Sequence, residues 1–180
     1  MIIPEFVSFD SIPRLSRECI ITEKLDGTNA CIFIDEENNL IAGSRSQWLL
    51  DGKDNFGFAT WTAKHKDQLI VELGIGRHFG EWWGAGIQRT YGLKEKRFSL
   101  FNTKRWAGAS LDLVSVVPVL YDGPFNTDSI NEVLHLLEKS GSIAAPGFMH
   151  PEGIVIYHKA GHCVFKKTIE HDIAGKDHRA

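Results

Sequence analysis

Thr22-Glu23-Lys24-Leu25-Asp26-Gly27-Thr28-Asn29 is the stretch on which the reading of this chain turns. Ile20 to Glu23 has the composition of a strand, and Asn29 to Asp35 alternates well enough to be another. Between them a lysine stands at a strand end and is followed by a tight Asp-Gly corner. Taken alone, Lys-x-Asp-Gly is equally an ordinary turn with an exposed lysine. What lies further along the chain decides between the two.

Working outward, Asn38-Asn39 turns the chain into a third strand at Leu40 to Gly43. Asp54 or Asn55 is placed to cap a helix running to about Leu73 and ending at Gly74. Arg77 to Trp82 and Phe98 to Asn102 read as short strands, and Val114 to Tyr121 as a β-branched run tempered by Pro118. Thr127 or Ser129 opens a second helix, with Ser129 and Glu132 at capping-box spacing. Ile130, Val133, Leu134 and Leu137 share one face of it, and Gly141 follows its end. Glu152 to His158 and Cys163 to Lys167 are joined by Lys159-Ala160-Gly161, which predicts a hairpin. Strands outnumber helices and neighbours are hairpin-like, so the expected class is α+β with antiparallel sheets. The 180 residues (20.2 kDa) fit one domain, residues 1–180.

Composition excludes several classes. Hydrophobic residues at 43% and charged residues at 24% are ordinary for a globular chain and exclude a mostly disordered one. No apolar run approaches the roughly eighteen residues of a membrane span. The start, Met1-Ile2-Ile3-Pro4-Glu5, lacks the pattern of a secretory signal, so a cytoplasmic location is expected, with no membrane partner. Cys19, Cys31 and Cys163 are scattered and the histidines show no HExxH spacing, which argues against disulfide frameworks and zinc sites. Net charge is −3, but between Arg77 and Arg105 seven Lys or Arg residues face two glutamates. That stretch is either a solvated basic segment or a phosphate-contacting surface.

Six short motifs follow one another in order. They are Glu23-Lys24-Leu25-Asp26-Gly27-Thr28-Asn29, Ser44-Arg45-Ser46, Phe79-Gly80-Glu81-Trp82-Trp83-Gly84, Phe98-Ser99-Leu100-Phe101, Glu152-Gly153-Ile154-Val155 and Phe165-Lys166-Lys167-Thr168. This set resembles the covalent nucleotidyltransferase superfamily of polynucleotide ligases and mRNA capping enzymes. It is most similar to the RNA-ligase-2-like branch of ATP-dependent RNA ligases, where Glu-Lys-x-x-Gly-Thr-Asn is typical. The resemblance runs from Glu23 to Lys167. It implies an antiparallel-sheet nucleotidyltransferase domain with the nucleotide in a cleft between sheets.

The chemistry suits the residue types. A lysine that attacks the α-phosphorus of ATP must shed its proton, yet at its reference pKa of about 10.4 only about one part in 2,500 is neutral at pH 7. Nearby cations depress that value most directly, and Lys166, Lys167 and a divalent ion are the candidates. The resemblance makes Lys24 the nucleophile of a lysyl-N-AMP intermediate. It makes Glu81 the ribose-binding glutamate, Phe101 (with Phe98 as rival) the aromatic that stacks on adenine, and Arg45 a ribose or phosphate contact. Glu152 becomes a metal-binding and lysine-orienting carboxylate. Lys166 and Lys167 would neutralise the α-phosphate, but neighbours on a strand point to opposite faces, so one of the two is expected to face the nucleotide, and Lys166 is favoured because it follows Phe165 and precedes x-Thr168. Glu23, Asp26 and Asn29 complete the lysine loop, Asn29 placing the nucleic-acid end. ATP and Mg²⁺, with Mn²⁺ as an alternative, are the implied cofactors. RNA, as a nicked duplex or single-stranded ends, is the implied partner.

Two departures stand out. Asn102 follows Phe101 where an aspartate is usual, which puts a metal or lysine partner in doubt. Only thirteen residues follow Lys167, so no OB domain is expected, and a separate partner domain or protein could supply what is missing. The alternative readings are a DNA ligase core, a GTP-using capping nucleotidyltransferase, or a catalytically inactive nucleotide- or RNA-binding protein.

Overall fold

The structure is a computed structural model and describes residues 3–170 and 172. The strands are β1 (Glu18–Lys24), β2 (Thr28–Ile34), β3 (Leu40–Ser44), β4 (Gly76–Gly84), β5 (Lys96–Leu100), β6 (Ser115–Val116), β7 (Val119–Pro124), β8 (Gly153–His158) and β9 (Cys163–Thr168). The helices are α1 (Phe58–Lys64), α2 (Lys66–Leu73) and α3 (Thr127–Ser140). The strands form two sheets, in the orders β7-β1-β8-β9 and β3-β2-β4-β5-β6. All pairings are antiparallel except β5 with β6. The expected α+β class and antiparallel sheets are what the structure has.

Each sheet buries one face under helices. In the first sheet Cys19, Ile21, Ile154 and Ile156 pack with Ile130, Val133 and Leu137 of α3. In the second, Ala30, Ile32, Ile34, Trp82, Phe98 and Leu100 pack with Phe58, Leu69 and Leu73 of α1 and α2. The period-2 alternation of strands therefore sends every other residue to the opposite, helix-free face. The candidate site is built on those faces.

The chain passes between the sheets at two adjacent places. Lys24 ends β1 in one sheet and Thr28 begins β2 in the other. The connection runs so close beneath β4 that a Cβ on Gly27 would sit 2.4 Å from the Trp82 carbonyl oxygen and 2.7 Å from Trp83 Cβ. The second crossing is Val117-Pro118, where the Val117 N–H donates to the Leu100 carbonyl at 3.0 Å and the Pro118 carbonyl accepts from the Glu23 N–H at 3.0 Å. Leu25 and Val117 meet in one buried cluster with Trp83, Tyr91 and Ala145.

Three local expectations change. The run Val114 to Tyr121 is two strands, β6 and β7, in different sheets, because Pro118 has no N–H to continue a ladder. The single helix expected from Asp54 or Asn55 to Leu73 starts later and breaks at His65. Asn55, Phe56 and Gly57 all have positive φ, and Asp54 instead accepts from the Thr60 N–H at 2.9 Å. The cap of α3 is Asn126, whose Oδ1 accepts from the Ser129 N–H at 2.7 Å, in place of Thr127 or Ser129. Replacing Gly27 by Ala forces a methyl onto backbone. We expect it to lower the stability measured by urea denaturation by about 1–3 kcal/mol, the usual range for overpacking.

Candidate active site

Lys24 is the last residue of β1 and lies on its helix-free face, since Ile21 and Glu23 point to the α3 side. Its Nζ donates to Glu152 Oε2 in a close ion pair. Glu152 directly precedes β8, whose first residue Gly153 pairs with Lys24 across the ladder. Both side chains are only about one-fifth exposed, at 22% and 17%, so the pair is shielded without being sealed from solvent.

The register assigns the other lysines. Val155 opposes Thr22 on one side and Lys166 on the other, which puts Lys166 on the face of Lys24. Lys167 opposes Ile154 on the helix side, where its Nζ donates to Asn131 Oδ1 of α3 at 2.9 Å. Lys167 is thus held away from the cleft, and the adjacent lysines divide as strand alternation requires.

Across the cleft, Glu81 of β4 opposes Asn29 of β2. Its two carboxylate oxygens accept from the Gly27 N–H at 3.1 Å and Asn29 Nδ2 at 2.9 Å. Glu81 is 7% exposed, and burial pushes its carboxyl up to about 7, partly offset by Asn29 and by the Lys24 charge. Phe101 continues β5, its N–H donating to the Phe79 carbonyl at 2.9 Å, and is 43% exposed. Its rival Phe98 is buried against Phe58 and Trp61 in the helix-side core and has no route to the cleft. Arg45 is exposed, one residue past the Ala30–Ser44 pair at the edge of the same sheet.

Two loop residues sit elsewhere than the motif order suggests. The Glu23 side chain points to the α3 side and is 1% exposed. It accepts from Ser142 Oγ at 2.5 Å and from the Ile143 and Ala144 N–H groups at 2.9 Å. With those donors its carboxylate anchors a loop on the far side of the sheet, and it does not face the cleft. Asp26 is engaged by Arg89, Nε to Oδ2 at 3.0 Å, while its own N–H donates to Tyr91 Oη at 2.7 Å. Arg89 also reaches the His150 carbonyl at 3.2 Å and Glu170 at 3.7 Å. Arg89 and Tyr91 were not singled out from sequence as partners of the lysine loop. Only the fold brings them there, since 63 positions separate Arg89 from Asp26.

Comparison with known proteins bears on the family and the fold. A family model described as RNA ligase matches residues 17–168. The chain belongs to the RNA ligase family. No curated protein matches the sequence. Among solved structures it is similar to Naegleria gruberi RNA ligase, in mutant forms. One with ATP and Mn has a TM-score of 0.63 at 20% identity, covering 97% of this chain and 60% of that one. One with AMP and Mn also has a TM-score of 0.63 at 20% identity, covering 92% and 57%. An apo form has 0.62 at 21% identity, with the same coverage. At such identity the likeness is one of fold. The chain spans about three-fifths of the length of these structures.

Within the RNA ligase family frame, the departure at Asn102 has a local role. Its Oδ1 accepts from the Arg105 N–H at 3.0 Å and closes a turn. The basic stretch is dispersed. Arg89 binds Asp26, Lys96 donates to the Phe56 carbonyl at 2.8 Å, and Arg105 donates to the Leu73 carbonyl at 3.3 Å over the Trp106 ring. No helix among the described residues is long and apolar enough to cross a membrane.

The raised carboxyl of Glu81 has a consequence for stability. The folded state binds this proton more tightly than the unfolded chain, whose carboxyl stays near 4.5. Its contribution is therefore complete below about pH 4.5 and lost as pH rises through about 7. In thermal melts, wild type should lose stability relative to Glu81→Gln between pH 5.5 and 8, by up to about 2 kcal/mol. Parallel profiles for the two proteins would contradict this.

Proposed function

We propose that residues 1–180 form the adenylyltransferase core of an ATP-dependent RNA ligase that joins 5′-phosphate and 3′-hydroxyl ends. The observation that carries this reading is the Lys24–Glu152 contact at the seam of the sheets, with Lys166 on the same face and Glu81 across the cleft. Lys24 Nζ attacks the α-phosphorus of ATP, forming a nitrogen–phosphorus bond as pyrophosphate leaves. Glu152 Oε2, already in contact with Nζ, takes the proton that the nitrogen sheds. Lys166 supplies positive charge to the phosphoryl oxygens as negative charge shifts onto them. The AMP then passes to a 5′-phosphate RNA end, and a 3′-hydroxyl displaces it to close the phosphodiester.

On this reading Glu81 accepts from the ribose hydroxyls, Phe101 stacks on the adenine and Arg45 contacts ribose or phosphate. Asn29 helps place the RNA end. No group of three or more His, Cys, Asp or Glu among the described residues makes a metal cage. The Glu152 carboxylate is the residue that would hold a Mg²⁺ or Mn²⁺ ion, hard cations that are commonly bound through one or two carboxylates. When bound, it would neutralise phosphate charge. The substrate is RNA, nicked or single-stranded. Cys19, Cys31 and Cys163 are free thiols, which suits a cytoplasmic setting.

Incubation with α-labelled ATP and Mg²⁺ should give an acid-labile protein label, absent with GTP and absent in Lys24→Ala. A label that persists in Lys24→Ala would sink the nucleophile assignment. Lys166→Ala should lower the rate of label formation by about 10²–10³-fold, the usual effect of removing one charge-stabilising donor. Lys167→Ala, whose partner is Asn131, should stay within a few-fold of wild type. Equal losses in the two lysine variants would mean that the register does not select between them.

A further inference from the structure

The helix-free face of the second sheet continues beyond Asn29 and Glu81. Directly opposed residues share a face, and the Phe33–Arg77 pair lies two ranks further along the same ladder. At two residues and roughly 7 Å per rank, Arg77 stands about 14 Å from Glu81, with Phe79 between them. Phe79 is 55% exposed and Trp48 37%. No helix covers this side, because α1 and α2 pack on the other.

Trp48 reaches this face through an isolated bridge to Gly43. A Cβ at residue 43 would stand 3.0–3.1 Å from the Trp48 ring, so glycine is what lets the indole lie against the strand. The Phe33 and Trp48 rings are 6.2 Å apart, and the Arg77 guanidinium lies 5.6 Å from one centroid and 5.4 Å from the other. None of the ion pairs among the described residues includes Arg77. A core aromatic cluster would be covered, and a surface arginine would ordinarily be free to pair with a carboxylate. Here large π-faces remain in solvent beside an uncompensated cation. That combination matches the face of a nucleobase with its phosphate alongside. The patch also runs along the same ladder as Asn29.

We propose that Phe33, Trp48 and Arg77 form a stacking platform for an unpaired base of the RNA strand, one or two nucleotides from the end being joined. This rests on the RNA-joining reading above, and it adds a site for the strand separate from the residues that hold ATP.

The test uses the full chain, with anisotropy of a fluorescent single-stranded 12-nucleotide RNA carrying a 5′-phosphate. Lysyl-AMP formation is measured in parallel as an independent check on Lys24. Trp48→Ala and Arg77→Gln should each weaken RNA binding about ten-fold, the scale of one lost base stack, with lysyl-AMP formation unchanged. Trp48→Phe should recover most of the affinity, and RNA should quench tryptophan fluorescence less in that variant than in wild type. RNA affinity unchanged in both loss variants overturns the platform while leaving the Lys24 chemistry standing. So does a shift in oligomeric state at constant RNA affinity, which would make the face a contact between copies. Absence of lysyl-AMP in wild type would instead count against the proposed activity, whatever the RNA titrations show.

Discussion

Gly27 passes beneath the backbone of Trp82 and Trp83 at a separation that leaves no room for a side chain. That approach fixes the shortest link between the sheets and, with it, the place of Lys24. The preceding strand ends there and the following strand begins four residues later in the other sheet. The lysine therefore stands at the mouth of a seam, facing a carboxylate from one sheet and a buried glutamate from the other. A wider connection would let the two halves of the site drift apart. Burial of Trp82 and Trp83, both nearly inaccessible, sets the floor against which the link is pressed.

Parity along the strands distributes the remaining groups. Glu23 and Lys24 are neighbours with opposite tasks: one carboxylate is consumed by Ser142, Ile143 and Ala144, while the amine faces the cleft. Lys166 and Lys167 repeat the division on β9. A charge that fails to find partners on the helix side would be costly to bury, and Glu23 and Lys167 each have theirs. The electrostatics of the cleft thus comes from a small group: Lys24, Glu152, Lys166 and Glu81. Burial raises the proton affinity of Glu81.

Much of this was legible in the sequence. The strands flanking Lys24, the hairpin ending in Phe165-Lys166 and the amphipathic α3 all have local signals strong enough to read. The order of the motifs pointed to the family. What could not be read depends on distant partners. Pro118 marks a change of sheet, but only the β1 and β5 neighbours show that the chain crosses there. The start of α1 is decided by three successive residues with positive φ, and the middle one, Phe56, has no local preference for that region. The motif glutamate Glu23 looked like part of the pocket because it adjoins Lys24. Its true neighbours lie some 120 positions away. Arg89 was counted only as one of several basic residues, and its pairing with Asp26 is a product of the fold.

The two crossings between the sheets are tied to each other, the Glu23 N–H to the Pro118 carbonyl, and share one buried cluster through Leu25 and Val117. The junction is consequently a double strut, in which one link cannot shift without disturbing the other. A change in the angle between the leaves would have to be absorbed in the packing of Leu25 and Val117 around Trp83.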